Sequence, residues 1–161
     1  MHVCVAYIVM QKIKLTVTWA TLFFPHSYEY HFSQESKGGE ICPGATTVVN
    51  TFVDVVGISN RNIKILDVGA GTGVLGVLLV EHGLTNVDAL DISQKMLDRA
   101  KDKKLYKNYI CKAMTGKRLD IPSGTYDAII SCAAIACGLI KANAFDEILR
   151  LVTLGKKISK V

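Results

Sequence analysis

A short apolar run that ends in a string of glycines constrains this chain more than any other feature. Ile63, Ile65, Leu66 and Val68 read as a strand buried on both faces of a parallel sheet, and they pass directly into Gly69-Ala70-Gly71-Thr72-Gly73. Val74, Leu75, Val77, Leu78 and Val80 then form an apolar helix that stops near His82-Gly83. Val87 to Leu90 returns as a second strand ended by Asp91. Ser93 is placed to cap the next helix, with Met96, Leu97, Ala100 and Leu105 inward and Lys95, Asp98, Arg99, Asp102 and Lys103 toward water. Tyr109 to Ala113 and Tyr126 to Cys132 read as a third and fourth strand, and Phe145, Ile148, Leu149 and Val152 as a helix capped by Asn143. Such alternation predicts an α/β, doubly wound, mostly parallel sheet with right-handed crossovers, whose ligands bind outside the carboxyl ends of the strands.

The 161 residues make one domain, with room for a single core. Half of them are hydrophobic and 20% charged, which excludes a disordered or collagen-like chain. Cys4, Cys42, Cys111, Cys132 and Cys137 are an odd set with no Cys-x-x-Cys pair, so neither a disulfide framework nor a structural zinc is expected. A reduced, cytoplasmic chain fits this usage. The apolar runs Val3 to Met10 and Leu15 to Phe24 are broken by Gln11, Lys12 and Lys14, and each is shorter than the ~18 to 20 residues of a membrane span. No basic segment precedes them as in a secretory signal. Two readings stay open: β-prone segments that cover the sheet, or an extension of an atypical gene product. Ser33 to Gly44 is polar and glycine-rich, a loop, and Ala45, Val48, Val49, Phe52, Val53 and Val56 recur at helical spacing before Gly57. The division expected is therefore an N-terminal extension over 1–32 and a ligand-binding domain over 33–161.

The glycine turn lets a ligand approach bare backbone N–H groups near a helix N-terminus. Asp91 lies 18 residues after Gly73, about the offset at which a carboxylate accepts from both hydroxyls of a ribose. Together they describe a nucleoside pocket. Gly71-x-Gly73-x-x-Gly76 also satisfies the dinucleotide fingerprint, but in that frame Gly69-Ala70 is an unexplained bend. Asp67 just before the turn repels a pyrophosphate and suits a ligand carrying an ammonium and a sulfonium. No Gly-x-x-x-x-Gly-Lys-Ser/Thr phosphate loop occurs.

Ile65-Leu66-Asp67-Val68-Gly69-Ala70-Gly71-Thr72-Gly73, with Leu90-Asp91-Ile92-Ser93 and Met96-Leu97, resembles the cofactor half of the class I S-adenosylmethionine-dependent methyltransferases. Leu105-Tyr106, Gly124 to Ile130 and Glu147-Ile148-Leu149-Arg150 are similar to the Williams-Beuren syndrome region methyltransferase-like 27 proteins. The resemblance covers about Gly44 to Gly155 and implies a Rossmann-like sheet, S-adenosyl-L-methionine as cofactor, and methyl transfer to a small molecule or protein. Carried over residue by residue, Gly69, Ala70, Gly71 and Gly73 would surround the methionine and ribose, with Asp67 supporting the turn and the amino group. Asp91 would hold the ribose hydroxyls, Ile92 and Met114 would flank the adenine, and Ser131 would line the methyl end. Where the superfamily often has an acid after the third strand, this chain reads Lys112-Ala113-Met114-Thr115.

Blander readings stand beside these. Glycines in such a turn can simply relieve strain, Asp91 can be a helix cap, and Cys132 and Cys137 read as packing because no base accompanies them. The lysines at 101, 103, 104, 107 and 112 read as a solvated face rather than a nucleic-acid stripe. No catalytic base or metal ligand is nominated, since His2, His26, His31 and His82 lie in no site motif. His26 to Phe32 only loosely matches the lid such proteins carry, and the chain stops at Val161 just after Gly155-Lys156-Lys157-Ile158, where a fifth strand should start. The expectation is thus a sheet lacking its last strands, with an edge open to a partner strand or a dimer. The alternatives are a non-catalytic cofactor-binding or partner-binding remnant, and then an NAD-dependent oxidoreductase.

Overall fold

The computed structural model describes residues 3–11, 14–22, 43–56, 61–132, 134 and 140–152. The expectations for His2, His26 to Phe32, Cys42, Cys137 and the Gly155 to Ile158 segment lie outside these residues. The elements in chain order are β1 (Val3–Gln11), β2 (Lys14–Leu22), α1 (Pro43–Val56), β3 (Ile65–Val68), α2 (Val74–Glu81), β4 (Val87–Asp91), α3 (Gln94–Asp102), β5 (Tyr109–Cys111), β6 (Ala128–Cys132) and α4 (Phe145–Leu151).

They form one six-stranded sheet in the order β2-β1-β6-β3-β4-β5. β6, β3, β4 and β5 run parallel, with Ile65 beside both Val87 and Ala128, and Ala89 beside Tyr109. From β3 the chain winds through α2, β4 and α3 to β5, then crosses back to place β6 on the other side of β3. The strand order therefore reverses at β3, and a crevice opens where neighbouring connections leave in opposite directions, outside the carboxyl ends. The glycine turn starts there.

The central strands are buried on both faces, as their mostly apolar sequences require, and they bury Asp67, Asp88 and Ser131 along with the apolar residues. Ile65, Val87, Ala89, Ala128 and Ile130 pack on one side with Val48, Val49 and Phe52 of α1, Leu75, Leu78 and Leu79 of α2, and Leu97 and Ala100 of α3. Leu66, Val68, Leu90 and Ile129 pack on the other with Ile148 and Leu151 of α4. The Ser93 hydroxyl caps α3, accepting from the Met96 N–H at 3.4 Å. Leu105 lies beyond the end of α3 and is half-buried. Asn143 does not cap α4. It sits inside a 3-10 turn, Ala142–Ala144, and α4 starts after Ala144 with no side-chain cap.

The N-terminal segments extend the sheet rather than cover it. β1 and β2 form an antiparallel pair in which Val3 faces Leu22, and β1 adds antiparallel to β6, Tyr7 beside Cys132 and Gln11 beside Ala128. The edge of β6 that was expected to be open is therefore occupied by the chain itself. Just before that stretch, Val152 bridges to Tyr126 in parallel, so the chain leaving α4 also returns to this edge.

Candidate functional site

The turn after β3 is hung on the end of β4. The N–H groups of Gly69 and Ala70 both donate to the Leu90 carbonyl, at 2.8 and 3.2 Å, and Gly73 N–H donates to the Ala70 carbonyl at 2.9 Å. Gly71 N–H donates to Oδ2 of Asp91 at 2.8 Å, while Oδ1 of Asp91 accepts from Ser93 N–H at 2.8 Å. The N–H groups expected to be bare thus have protein acceptors. Neighbouring strand ends supply oxygens at the right height, and a turn this tight satisfies its donors internally.

Gly69, Gly71 and Gly73 have φ of 79°, 54° and 87°, in the left-handed region where a side chain is strained. Their surroundings differ. A Cβ on Gly69 would meet Ala134 Cβ at 2.6 Å, and one on Gly73 would press on Leu105, Tyr106 and Ala100 at 3.2 to 3.4 Å. A Cβ on Gly71 would meet nothing nearer than 4.0 Å. Gly71 therefore faces the open side of the turn, whereas Gly69 and Gly73 are closed by packing.

Asp67, one residue from the end of β3, is fully buried. Its Oδ2 accepts from the Tyr106 hydroxyl at 2.7 Å, and its Oδ1 has no partner. Burial pushes its carboxyl up to about 7; the Tyr106 bond opposes that rise and the nearby negative charge of Asp91 adds to it. The two acids thus sense each other across the turn. Tyr106 is buried too, and its hydroxyl accepts from the Gly76 N–H at 3.1 Å. Burial and the Asp67 carboxylate raise its own ionisation well above the ordinary phenol value. Tyr106 was not singled out for the site from sequence. Its contact spans 39 residues and carries no local spacing signal.

Of the remaining candidates, Ile92 follows Asp91 in the chain and stands 65% exposed, an apolar side chain left open to solvent. Ser131, at the end of β6, is buried with its Oγ lacking a partner. Met114 is buried in the core with Leu66, Val68 and Leu90, and its side chain is not on an open face. The lysines at 101, 103, 104, 107 and 112 are exposed. Among the described residues no group of three His, Cys, Asp or Glu side chains could hold a metal, and no helix is long and apolar enough to cross a membrane.

The chain is similar to human methyltransferase-like protein 27, 32% identical over 84 residues that make up 52% of this chain and 34% of that protein. It is also similar to the chloroplastic 2-methyl-6-phytyl-1,4-hydroquinone methyltransferase of Spinacia oleracea, 33% identical over 103 residues, 62% of this chain and 29% of that protein. The chain thus spans about a third of the length of the curated relatives it matches. Among solved structures, a Methanococcus maripaludis protein assigned to the S-adenosyl-L-methionine-dependent methyltransferases shares the fold. The TM-score is 0.54 and the identity 19%, over 68% of this chain and 50% of that one. Residues 65–155 match the methyltransferase domain family. A match over more than half of the chain, on a strand order that reverses at its glycine turn, makes the chain a member of the class I S-adenosylmethionine-dependent methyltransferases.

Proposed function

We propose that the chain binds S-adenosyl-L-methionine at the Gly69 to Gly73 turn and transfers a methyl group to a small-molecule or protein acceptor. One observation carries the reading. The turn offers a ligand an open α-carbon at Gly71 beside the Asp91 carboxylate, with the buried Asp67 carboxylate four residues before it, while the N–H groups of Gly69, Ala70, Gly71 and Gly73 are already spent on protein oxygens. A pyrophosphate needs free donors and repels both acids, so a dinucleotide suits this site poorly. A ligand bearing an ammonium suits it well, because Oδ1 of Asp67 is a buried acceptor with nothing to accept.

In this reading Asp67 holds the ammonium, directly or through a water, and the Gly71 backbone lies along the methionine chain. Asp91 holds the ribose. Each of its oxygens carries one backbone hydrogen bond and keeps a further acceptor direction, so it can clasp two hydroxyls without releasing the turn. Ile92 lies against the adenine and Ser131 faces the methyl end, with Met114 stiffening the floor from within the core. The bound cofactor supplies a methyl group that is already activated. The protein's part is orientation and exclusion of water, which alone account for several powers of ten in rate. No side chain of the described site is assigned as a general base.

Calorimetric titration with S-adenosylhomocysteine tests the reading. Binding is expected, and Asp91→Ala should weaken it by about 1.5 to 3 kcal/mol, the usual loss for hydrogen bonds to a charged group. Unchanged affinity in that variant removes the ribose assignment. Tight NAD binding with no response to S-adenosylhomocysteine reverses the choice of cofactor.

A further inference from the structure

Asp67 is not the only buried acid in the sheet with a tyrosine on it. One strand over, Asp88 of β4 also takes a tyrosine hydroxyl, from Tyr126 at 3.1 Å on Oδ2. Its other oxygen accepts from the Asn108 amide at 2.8 Å, and the Lys64 ammonium stands 3.8 Å away. Asp88 is complete, while Asp67 has the tyrosine and nothing on Oδ1. Measured against Asp88, whose second oxygen takes the Asn108 amide and whose Oδ2 has Lys64 nearby, Asp67 lacks both a donor on Oδ1 and, among the described residues, a cation.

The tyrosine is held where it is. The Gly76 N–H can only donate, so the Tyr106 hydroxyl accepts there and must send its own proton to Asp67. A Cβ on Gly76 would lie 2.6 Å from both Cζ and the hydroxyl oxygen of Tyr106, and Gly73 leaves room for Cε2 at 3.3 Å. Two glycines at the head of α2 therefore make space for one ring. Tyr109 closes it edge-on, with centroids 5.6 Å apart at 86°. The third glycine of the dinucleotide-like pattern, Gly76, is thus explained by a tyrosine rather than by a phosphate.

We propose that Tyr106 is a positioning residue for the ammonium end of the ligand: it fixes Oδ2 of Asp67 and leaves Oδ1 as the acceptor for a primary ammonium group. This rests on the cofactor reading above. The groups acting on Asp67 are Tyr106 and, by its charge, Asp91 of β4, so the ammonium would be the cation that balances the pair. Loss of the hydroxyl turns Asp67 loose and makes it harder to ionise, which weakens binding of the ammonium most at low pH.

Two probes separate this role from mere stability. S-adenosylhomocysteine carries the amino-acid end, and 5′-deoxy-5′-methylthioadenosine lacks it. In Tyr106→Phe, affinity for the first is expected to fall about tenfold at pH 7, with its pH midpoint displaced upward, while the second changes less than about twofold. In an Asp67→Asn background the same change should cost nothing further that is selective for the first probe. Equal losses for both probes, or no loss, overturn the proposal. If Tyr106→Phe lacks a cooperative melt, Gly76→Ala runs the same comparison, since it keeps every hydrogen-bonding atom and only displaces the ring. A wild-type chain that binds methylthioadenosine and S-adenosylhomocysteine equally well overturns this inference alone. One that binds neither overturns the cofactor reading with it.

Discussion

Asp67 and Glu147 are both buried carboxylates, and their fates differ. Glu147, in α4, spends both oxygens: the Arg150 Nε and Nη2 groups donate to Oε2 and Oε1, and the Leu119 N–H donates to Oε1 at 2.8 Å. Arg150 in turn reaches the Ile121 and Leu119 carbonyls, so the pair fastens the loop before β6 onto the helix. The Arg150 hydrogen bonds hold the Glu147 carboxyl below its ordinary range despite burial, helped by the Leu119 N–H and the charges of Arg150 and Arg118. Asp67 has one neutral hydroxyl and an empty oxygen, and burial wins. A buried acid whose partners are all supplied by the chain is a fastener. One left half-paired beside an open turn carries a cost that a proton removes at low pH and a cation from outside removes at neutral pH.

That comparison breaks first on pH. Asp67 holds its proton more tightly in the folded chain, with a value of about 7 against an ordinary 3.8. Its contribution to stability is present below the ordinary value and is lost as pH rises toward 7. Without ligand, the wild-type chain should therefore lose ground between pH 4 and 7 to Asp67→Asn, by an amount on the order of 2–4 kcal/mol. Urea unfolding of both across that range measures it. Parallel curves would mean that Asp67 is ionised and satisfied after all. Saturating S-adenosylhomocysteine should remove the divergence, because an ammonium on Oδ1 restores the charged form.

How much of this was legible in the sequence follows from contact range. The strand, turn and helix from Ile65 to Glu81, and Asp91 at the next strand's end, are local patterns set by burial and by backbone freedom, and they stand where spacing put them, except that Ile63 lies before the strand. Which oxygens take the N–H groups of the turn was not legible, because Leu90 and Asp91 come to it from a different strand. Tyr106 was hidden for the same reason. Gly73 and Gly71 are indistinguishable as letters, yet one packs on Leu105 and Tyr106 and the other faces open space. Met114 was placed on the adenine by position alone, and its apolar side chain went where such chains go, into the core. The Val3 to Gln11 segment carried strand propensity but nothing that named β6 as its neighbour.

The glycines sharpen the picture on a smaller scale. Gly69→Ala combines a positive φ with a 2.6 Å clash against Ala134, and should cost about 2–3 kcal/mol of stability. Gly71→Ala has the φ without the clash, and should cost about 1 kcal/mol. Its effect on S-adenosylhomocysteine is expected to be the larger one, because the new methyl group occupies the space the ligand takes. Denaturant midpoints and calorimetry on the same two preparations give both quantities. Equal stability losses, or an unaffected affinity in Gly71→Ala, would show that the open side of the turn is not where a ligand lies.

Glu147→Gln gives the smallest effect and tests the other half of the contrast. Glutamine keeps an oxygen for the Leu119 N–H and for Arg150 but surrenders the charge, so a modest loss is expected at neutral pH. The sign of its pH dependence is opposite to that of Asp67. The Glu147 contribution is present above its ordinary value of 4.5 and disappears as pH falls through its lower folded value, so variant and wild type should converge in acid. The gap between them should also be unmoved by S-adenosylhomocysteine, which stabilises both alike, since every partner of Glu147 belongs to the loop and helix it joins. If ligand instead rescued Glu147→Gln as it rescues the ionised Asp67, the fastener and the turn would be one coupled unit, and the distinction between a satisfied and an unsatisfied buried acid would no longer divide the molecule.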